Sequence, residues 1–259
     1  MPRFAANLVS LFTEVPFLDR FAAAAQAGFR GCDVPFPYLY PAEVVGDKAA
    51  SSGLDLAVFN APPGDWAAGE RGLAALPGRE DDFRASLEIS ASYAELLDCS
   101  CLHIMAGVVP EAEWDEALDV YRANLEYAAG QLDAEGIKCL IEPISPLTLP
   151  GYFLSRPEDA ILLMDDIRHD NLYVLYDIYH AQMTQGGLTD FIESHLHRIA
   201  HVQVAGVPGR HEPDQLGEVN FHYLFDLLDS SGYDGWVGCA YSPRGETHAG
   251  LRWAKSWLS

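Results

Sequence analysis

The sequence predicts an α/β chain folded as a single (β/α)8 barrel, and three observations carry that expectation. Short apolar runs alternate with longer amphipathic ones from end to end, giving eight strand–helix pairs. The strand-like runs are apolar throughout rather than at alternate positions, as expected where both faces of a parallel sheet are covered. The 259 residues suit one barrel, and no linker, composition break or internal repeat divides them, so 1–259 reads as one domain. A doubly wound open sheet is the competing architecture, but no G-x-G-x-x-G follows the first strand.

In chain order, "FAANL" (4–8) precedes a helical pattern at about 16–27, and "RGCDV" (30–34) precedes 41–52. "LDLAVFN" (54–60) leads to 80–98, and "CLHIMA" (101–106) to 111–134. In that fourth helix Trp114, Leu118, Tyr121, Leu125, Ala128 and Leu132 recur on one face. "KCLIEP" (138–143) is followed by 156–166, "YVLYDI" (173–178) by 188–195, "AHVQVA" (200–205) by 220–231 and "GWVGCAY" (235–241) by 245–256. Gly28, Gly53, Gly136 and Gly232 mark helix exits. Two connections, 60–80 and 205–220, are longer than joining requires. Both follow a strand, which in a barrel places them on the face where active sites are built.

A formal net charge of −22, from 16 basic and 38 acidic residues, argues against nucleic-acid or anionic-membrane partners. No apolar run approaches the ~18 residues of a membrane span. The opening "MPRFAANLVSLF" reads as a first strand rather than a signal peptide. Cys32, Cys99, Cys101, Cys139 and Cys239 read as small core residues in a reducing cytoplasm rather than a disulfide frame or metal cluster.

Three strand ends carry oxygen donors: Glu142 on the fifth, Asp177 on the sixth and Gln203 on the seventh. Hard oxygen ligands in that number suit a divalent ion such as Mg²⁺ or Mn²⁺; the competing reading pairs each carboxylate with a nearby Arg or His. His180, three residues after Asp177, is placed by a short turn to face a substrate oxygen, or is an ordinary loop histidine. Arg210 is a candidate for a substrate carboxylate, unless it pairs with Glu212 or Glu218. Trp66 reads as a lid in "GDWAAGERG", with Glu70 and Arg71 as a local ion pair. His103 is a weaker candidate, and His195, His197 and His201 are placed on the wrong end of the barrel for chemistry. G-x-S-x-G, P-loop and H-E-x-x-H patterns are absent.

The segments "GDWAAGERGLAALPGRE", "IEPI", "YDIYH", "HVQVAGVPGRHEP…GEVNF" and "GWVGCAYSPRGETHAGL" make the chain resemble, nearly end to end, the hydroxypyruvate isomerase family of the xylose-isomerase-like TIM barrels. The resemblance implies a divalent metal and isomerisation of a small hydroxy-oxo acid: hydroxypyruvate and tartronate semialdehyde, with 2-oxo-tetronate isomerases as near relatives and ketose epimerases further off. It implies two glutamates flanking the substrate, metal ligands at Glu142, Asp177 and Gln203, and substrate contacts at His180 and Arg210. The family pattern Gly-Cys-Glu-Tyr reads "GCAY" here, so Ala240 stands where the second catalytic glutamate belongs, and activity is expected to be impaired. Ser242 also replaces a side chain that is often longer. Glu246, six residues past the strand end, reads as the start of the last helix rather than a substitute. Three readings of Ala240 stay open: an introduced inactivating substitution, a natural slow or altered isomerase, and a non-catalytic sugar-acid binding relative. The same barrel also serves AP-endonuclease-like nucleases, which the charge disfavours. A homo-oligomer is compatible with all of these.

Overall fold

The computed structural model describes residues 2–258. The apolar runs form eight parallel strands hydrogen-bonded in sequence order, and the last closes onto the first. They are β1 (Arg3–Asn7), β2 (Gly31–Asp33), β3 (Asp55–Asn60), β4 (Cys101–His103), β5 (Lys138–Ile141), β6 (Leu172–Asp177), β7 (Ile199–Val204) and β8 (Trp236–Cys239). Parallel neighbours need crossovers, and the amphipathic segments supply them. These are α1 (Arg20–Gln26), α2 (Ala42–Ser52), α3 (Glu80–Leu97), α4 (Trp114–Ala134), α5 (Pro157–Ile167), α6 (Ile178–Thr184), α7 (Leu188–His195), α8 (Phe221–Ser230) and α9 (Thr247–Gly250).

The expected face of α4 is the buried one from Tyr121 through Leu125, Ala128 and Leu132. Trp114, at its start, is 45% exposed, with its indole N–H donating to the Val109 carbonyl. Gly28, Gly53, Gly136 and Gly232 all take positive φ at the helix exits.

Three elements differ from expectation. "CLHIMA" stays in the ladder only to His103, because the 60–80 loop takes its backbone: Ala74 and Ala75 N–H donate to Met105 and Ala106 O. The final helix is a four-residue α9 continued by a 3-10 turn, Leu251–Ala254. An additional helix, α6, starts directly at the end of β6. Asp177 caps it through Oδ1, which accepts from the N–H groups of Tyr179 (2.7 Å) and His180 (3.3 Å). Gly186 and Gly187, both with positive φ, then turn the chain into α7. An Asp directly before an apolar turn was the signal for this helix.

Two apolar clusters form. The larger fills the shell between strands and helices. The smaller joins Val58, Leu140 and Leu175, on β3, β5 and β6, and forms an apolar plug apart from the shell. Beside it lies a polar cluster. Asp33 Oδ2 accepts from Gln203 Nε2 and contacts His201 Nε2, both at 3.2 Å. His201 is therefore inside the barrel rather than at its far end. Gly238 makes room for this cluster: a Cβ there would collide with Asp33 Oδ2 and stand 2.8 Å from His201 Nε2.

All five cysteines are free thiols. Burial raises each thiol pKa; for Cys101, the one only half-buried, Lys138 opposes the rise. At pH 8 a thiol reagent should therefore modify at most one of the five cysteines in the native protein, and all five after guanidinium unfolding; a reagent count before and after unfolding checks this. Gly238→Ala should destabilise the fold by about 1–3 kcal/mol, seen as a lower urea midpoint, because backbone or Asp33 must shift.

Candidate active site

Strand register places the donors. Asp177 on β6 pairs in register with Gln203 on β7, which pairs with Gly238 on β8. Glu142 lies one residue beyond β5, and Ala240 one residue beyond β8, where its N–H donates to Val204 O. Glu142, Gln203, His180, Arg210, Trp66 and Ala240 all border one cleft of about 610 Å³. A larger hollow of about 1130 Å³ lies between the Glu212–Arg244 pair and the C-terminal segment. Two of its carboxylates, Glu212 and Asp214, are held by Arg244, and none of the strand-end donors lines it.

The floor of the cleft is a group of buried ionisable side chains. Glu142, Asp177 and His180 present atoms within 4.8 Å of one another. Burial holds the Glu142 carboxyl up at about 8, with repulsion from Asp177 adding to the rise and Arg210 opposing it. His180 is pushed down to about 4 by burial, against the pull of Asp177. It is neutral at pH 7, and the Ser145 N–H donates to its Nδ1 at 3.3 Å. The proton therefore sits on Nε2, which lies 3.9 Å from Glu142 Oε1 and 3.7 Å from Asp177 Oδ2. His180 is on the first turn of α6 rather than on a loose turn.

Arg210 pairs with Asp177 Oδ2 at 3.3 Å, not with Glu212 or Glu218, and its guanidinium lies over the Tyr179 ring at 5.0 Å. Glu212 is instead buried against Arg244 at 3.0 Å. Glu70 and Arg71 do not pair either. The Glu70 carboxylate is held by Arg79, while Arg71 stacks on Trp66, 3.7 Å from the ring centroid. Trp66, 49% exposed, also meets Phe36 edge-on at 5.3 Å. Glu246 precedes α9 as its N-cap residue and does not line this cleft.

The sequence marks His103 only as a weaker candidate and does not single out Asn7, Asp33 or Asn60. His103 Nδ1 lies 3.5 Å from Glu142 Oε2 and 3.2 Å from Asn60 Oδ1, deeper than expected, and burial with help from His201 lowers its pKa to about 3. Asn7, at the end of β1, joins the lining. Asp33 and Asn60 also end their strands, so oxygen donors at strand ends were the available signal.

Whether these groups suit a cation is a question of donor chemistry. The Glu142 and Asp177 carboxylates converge, and the Gln203 amide N–H is taken by Asp33, which leaves its carbonyl oxygen as a third donor, while His180, with its proton on Nε2, faces them as a hydrogen-bond donor. A divalent ion would also offset the Glu142–Asp177 repulsion. The set fits a hard or borderline divalent ion.

Comparison with known proteins agrees with this architecture. A family model described as a xylose isomerase-like TIM barrel matches residues 21–258. The chain is 48% identical over 259 residues to a Cupriavidus necator protein named 2-oxo-tetronate isomerase, covering 100% of this chain and 99% of the relative. It is 44% identical over 254 residues to the hydroxypyruvate isomerase of Escherichia coli, covering 98% of each. A solved structure from Brucella melitensis, titled AP endonuclease, family 2, superposes with a TM-score of 0.97 at 47% identity, covering 99% of each chain. A D-psicose 3-epimerase from Clostridium cellulolyticum, at 14% identity and a TM-score of 0.76, covers 99% of this chain and 92% of its own and shares the fold alone. With matched residues spanning nearly the whole barrel, the chain belongs to the xylose isomerase-like TIM barrel family.

Proposed function

We propose that the protein is a metal-dependent isomerase of small 2-oxo acids bearing a neighbouring hydroxyl, of the hydroxypyruvate or 2-oxo-tetronate type. The observation that carries this reading is the buried Glu142 carboxyl beside a neutral His180 and the Asp177–Arg210 pair, all at one cleft. Full-length relatives named for these two isomerisations support it.

In hydroxypyruvate the chemistry moves one proton from C3 to C2 and one from the C3 oxygen to the C2 oxygen. Glu142 as carboxylate takes the C3 proton, giving an enediolate, and returns it to C2. His180 donates a hydrogen bond from Nε2–H to a substrate oxygen, and the Ser145 N–H holds the tautomer that does so. Arg210 keeps the buried Asp177 charge compensated. A divalent ion, Mg²⁺ or Mn²⁺, held by Glu142, Asp177 and the Gln203 carbonyl would supply Lewis acidity that stabilises the developing negative charge. Burial at the base of the cleft strengthens each of these electrostatic contacts.

Ala240 leaves the eighth-strand corner without a carboxylate. A one-base 1,2-proton shift remains available through Glu142, whereas inversion of a carbon centre calls for groups on both faces. The present residues therefore favour slow isomerisation over epimerisation. A nuclease role, which the Brucella title raises, is disfavoured by the −22 charge. The rival of another class is a sugar-acid binding protein.

Solvent exchange separates them. With Mg²⁺ and hydroxypyruvate in deuterated water, NMR should show deuterium entering the substrate carbon, and Glu142→Gln should slow that entry by about 100-fold or more. Ligand-induced thermal stabilisation without exchange would instead identify a binding protein. Ala240→Glu should raise turnover by about tenfold or more in a coupled assay; equal rates would remove the two-glutamate reading.

A further inference from the structure

A small oxo acid carries a carboxylate that takes no part in the proton shift, and a chain of net charge −22 must receive it somewhere. Two arginines border the cleft. Arg210 is already matched: Asp177, fully buried, holds it at 3.3 Å. A carboxylate approaching Arg210 meets the Asp177 charge as well, which removes most of the attraction. Arg71 has no such partner. Among the described residues no carboxylate lies within ion-pair distance of it, because the adjacent Glu70 is turned away to Arg79.

The loop is built to produce this. Asp65 Oδ1 accepts the N–H groups of Ala67 and Ala68, closing a tight turn. Glu70 Oε2 accepts the Asp65 N–H at 2.6 Å and so ties the turn to Arg79. Gly72 packs so closely on the Met105 carbonyl that a Cβ would collide with it. Between these fixed points the Arg71 guanidinium lies over the Trp66 ring, and its two hydrogen bonds, to the Trp66 and Glu70 carbonyls, both use Nη1. Stacking lowers the entropy of the long side chain and leaves the guanidinium edge formed by Nε and Nη2 for a bidentate anion.

We propose that Arg71, pinned on Trp66 with no carboxylate partner, is the residue that binds the substrate carboxylate. This rests on the oxo-acid reading above and sharpens it: the carboxylate is anchored by the β3 loop, and the carbonyl and hydroxyl carbons extend toward Glu142 and His180. It also assigns a purpose to the Glu70–Arg79 pair, which keeps the neighbouring acid away from Arg71.

The test compares ligands that differ only in that group. D-glycerate and glycerol are titrated calorimetrically into the wild-type protein, Arg71→Met, Arg71→Lys and Arg210→Met. Turnover of hydroxypyruvate is measured beside that of dihydroxyacetone, which has a hydroxymethyl group in place of the carboxylate. Arg71→Met should weaken glycerate by about 10- to 100-fold, leave glycerol unchanged, and raise KM for hydroxypyruvate far more than it lowers kcat. Arg71→Lys should recover part of the loss, which a merely misfolded loop would not. Unchanged glycerate binding in Arg71→Met overturns the proposal, and a selective loss in Arg210→Met would move the anchor there. If the wild-type protein neither binds glycerate nor turns over hydroxypyruvate, the oxo-acid reading itself fails and this inference falls with it.

Discussion

Asp177 ends a barrel strand with a side chain that has no solvent exposure, and the site is arranged around compensating its carboxylate. A buried charge without partners costs several kcal/mol, so each oxygen must be answered. Oδ1 is answered by two backbone N–H groups, which starts α6 at that residue. Starting the helix there brings His180 round to face Glu142 on its first turn. Oδ2 is answered by Arg210, which draws the long 205–220 loop over the barrel mouth. One residue thus couples a helix start, the orientation of an imidazole and the closure of a loop.

The same logic reaches the barrel interior for one oxygen of Asp33, Oδ2, while Oδ1 has no hydrogen-bond partner among the described residues. Asp33 is fully buried, and its Oδ2 meets His201 and the amide of Gln203. Holding the Gln203 N–H decides which end of the amide is left to act as a donor. Gly238 is small because Asp33 and His201 occupy the space its side chain would need. Two residues further along the chain, just past β8, Ala240 is small as well, but it borders the cleft rather than this cluster. One small residue therefore serves packing, while the other leaves its part of the cleft wall without a carboxylate.

The loops divide the work differently from the strands. Strand ends carry Glu142, Asp177 and Gln203, where register sets position closely. The 60–80 and 205–220 loops carry the arginines, and each is stiffened by its own buried or bridging acid, Glu70 with Arg79 and Glu212 with Arg244. In both loops the acid nearest in sequence to the arginine is bonded elsewhere. Sequence adjacency suggested a Glu70–Arg71 pair that does not form, because an ion pair is chosen by three-dimensional reach and not by spacing along the chain.

The sequence by itself determined the barrel. Eight continuously apolar runs with helical periods between them call for a parallel sheet covered on both faces, and eight regular strand–helix pairs without a G-x-G-x-x-G after the first strand favour the closed barrel over the doubly wound sheet. It also marked Glu142, Asp177 and Gln203, since oxygen donors at successive strand ends share one face of any such barrel. What only the tertiary structure decided was pairing. The placement of His103 beneath Glu142, of His201 beside Asp33 and of Arg210 on Asp177 rests on residues separated by about 30 to 170 positions in the chain. Such contacts follow from strand stagger and loop path, which leave no local periodicity to read. The charge balance of the site was therefore invisible until the chain closed on itself.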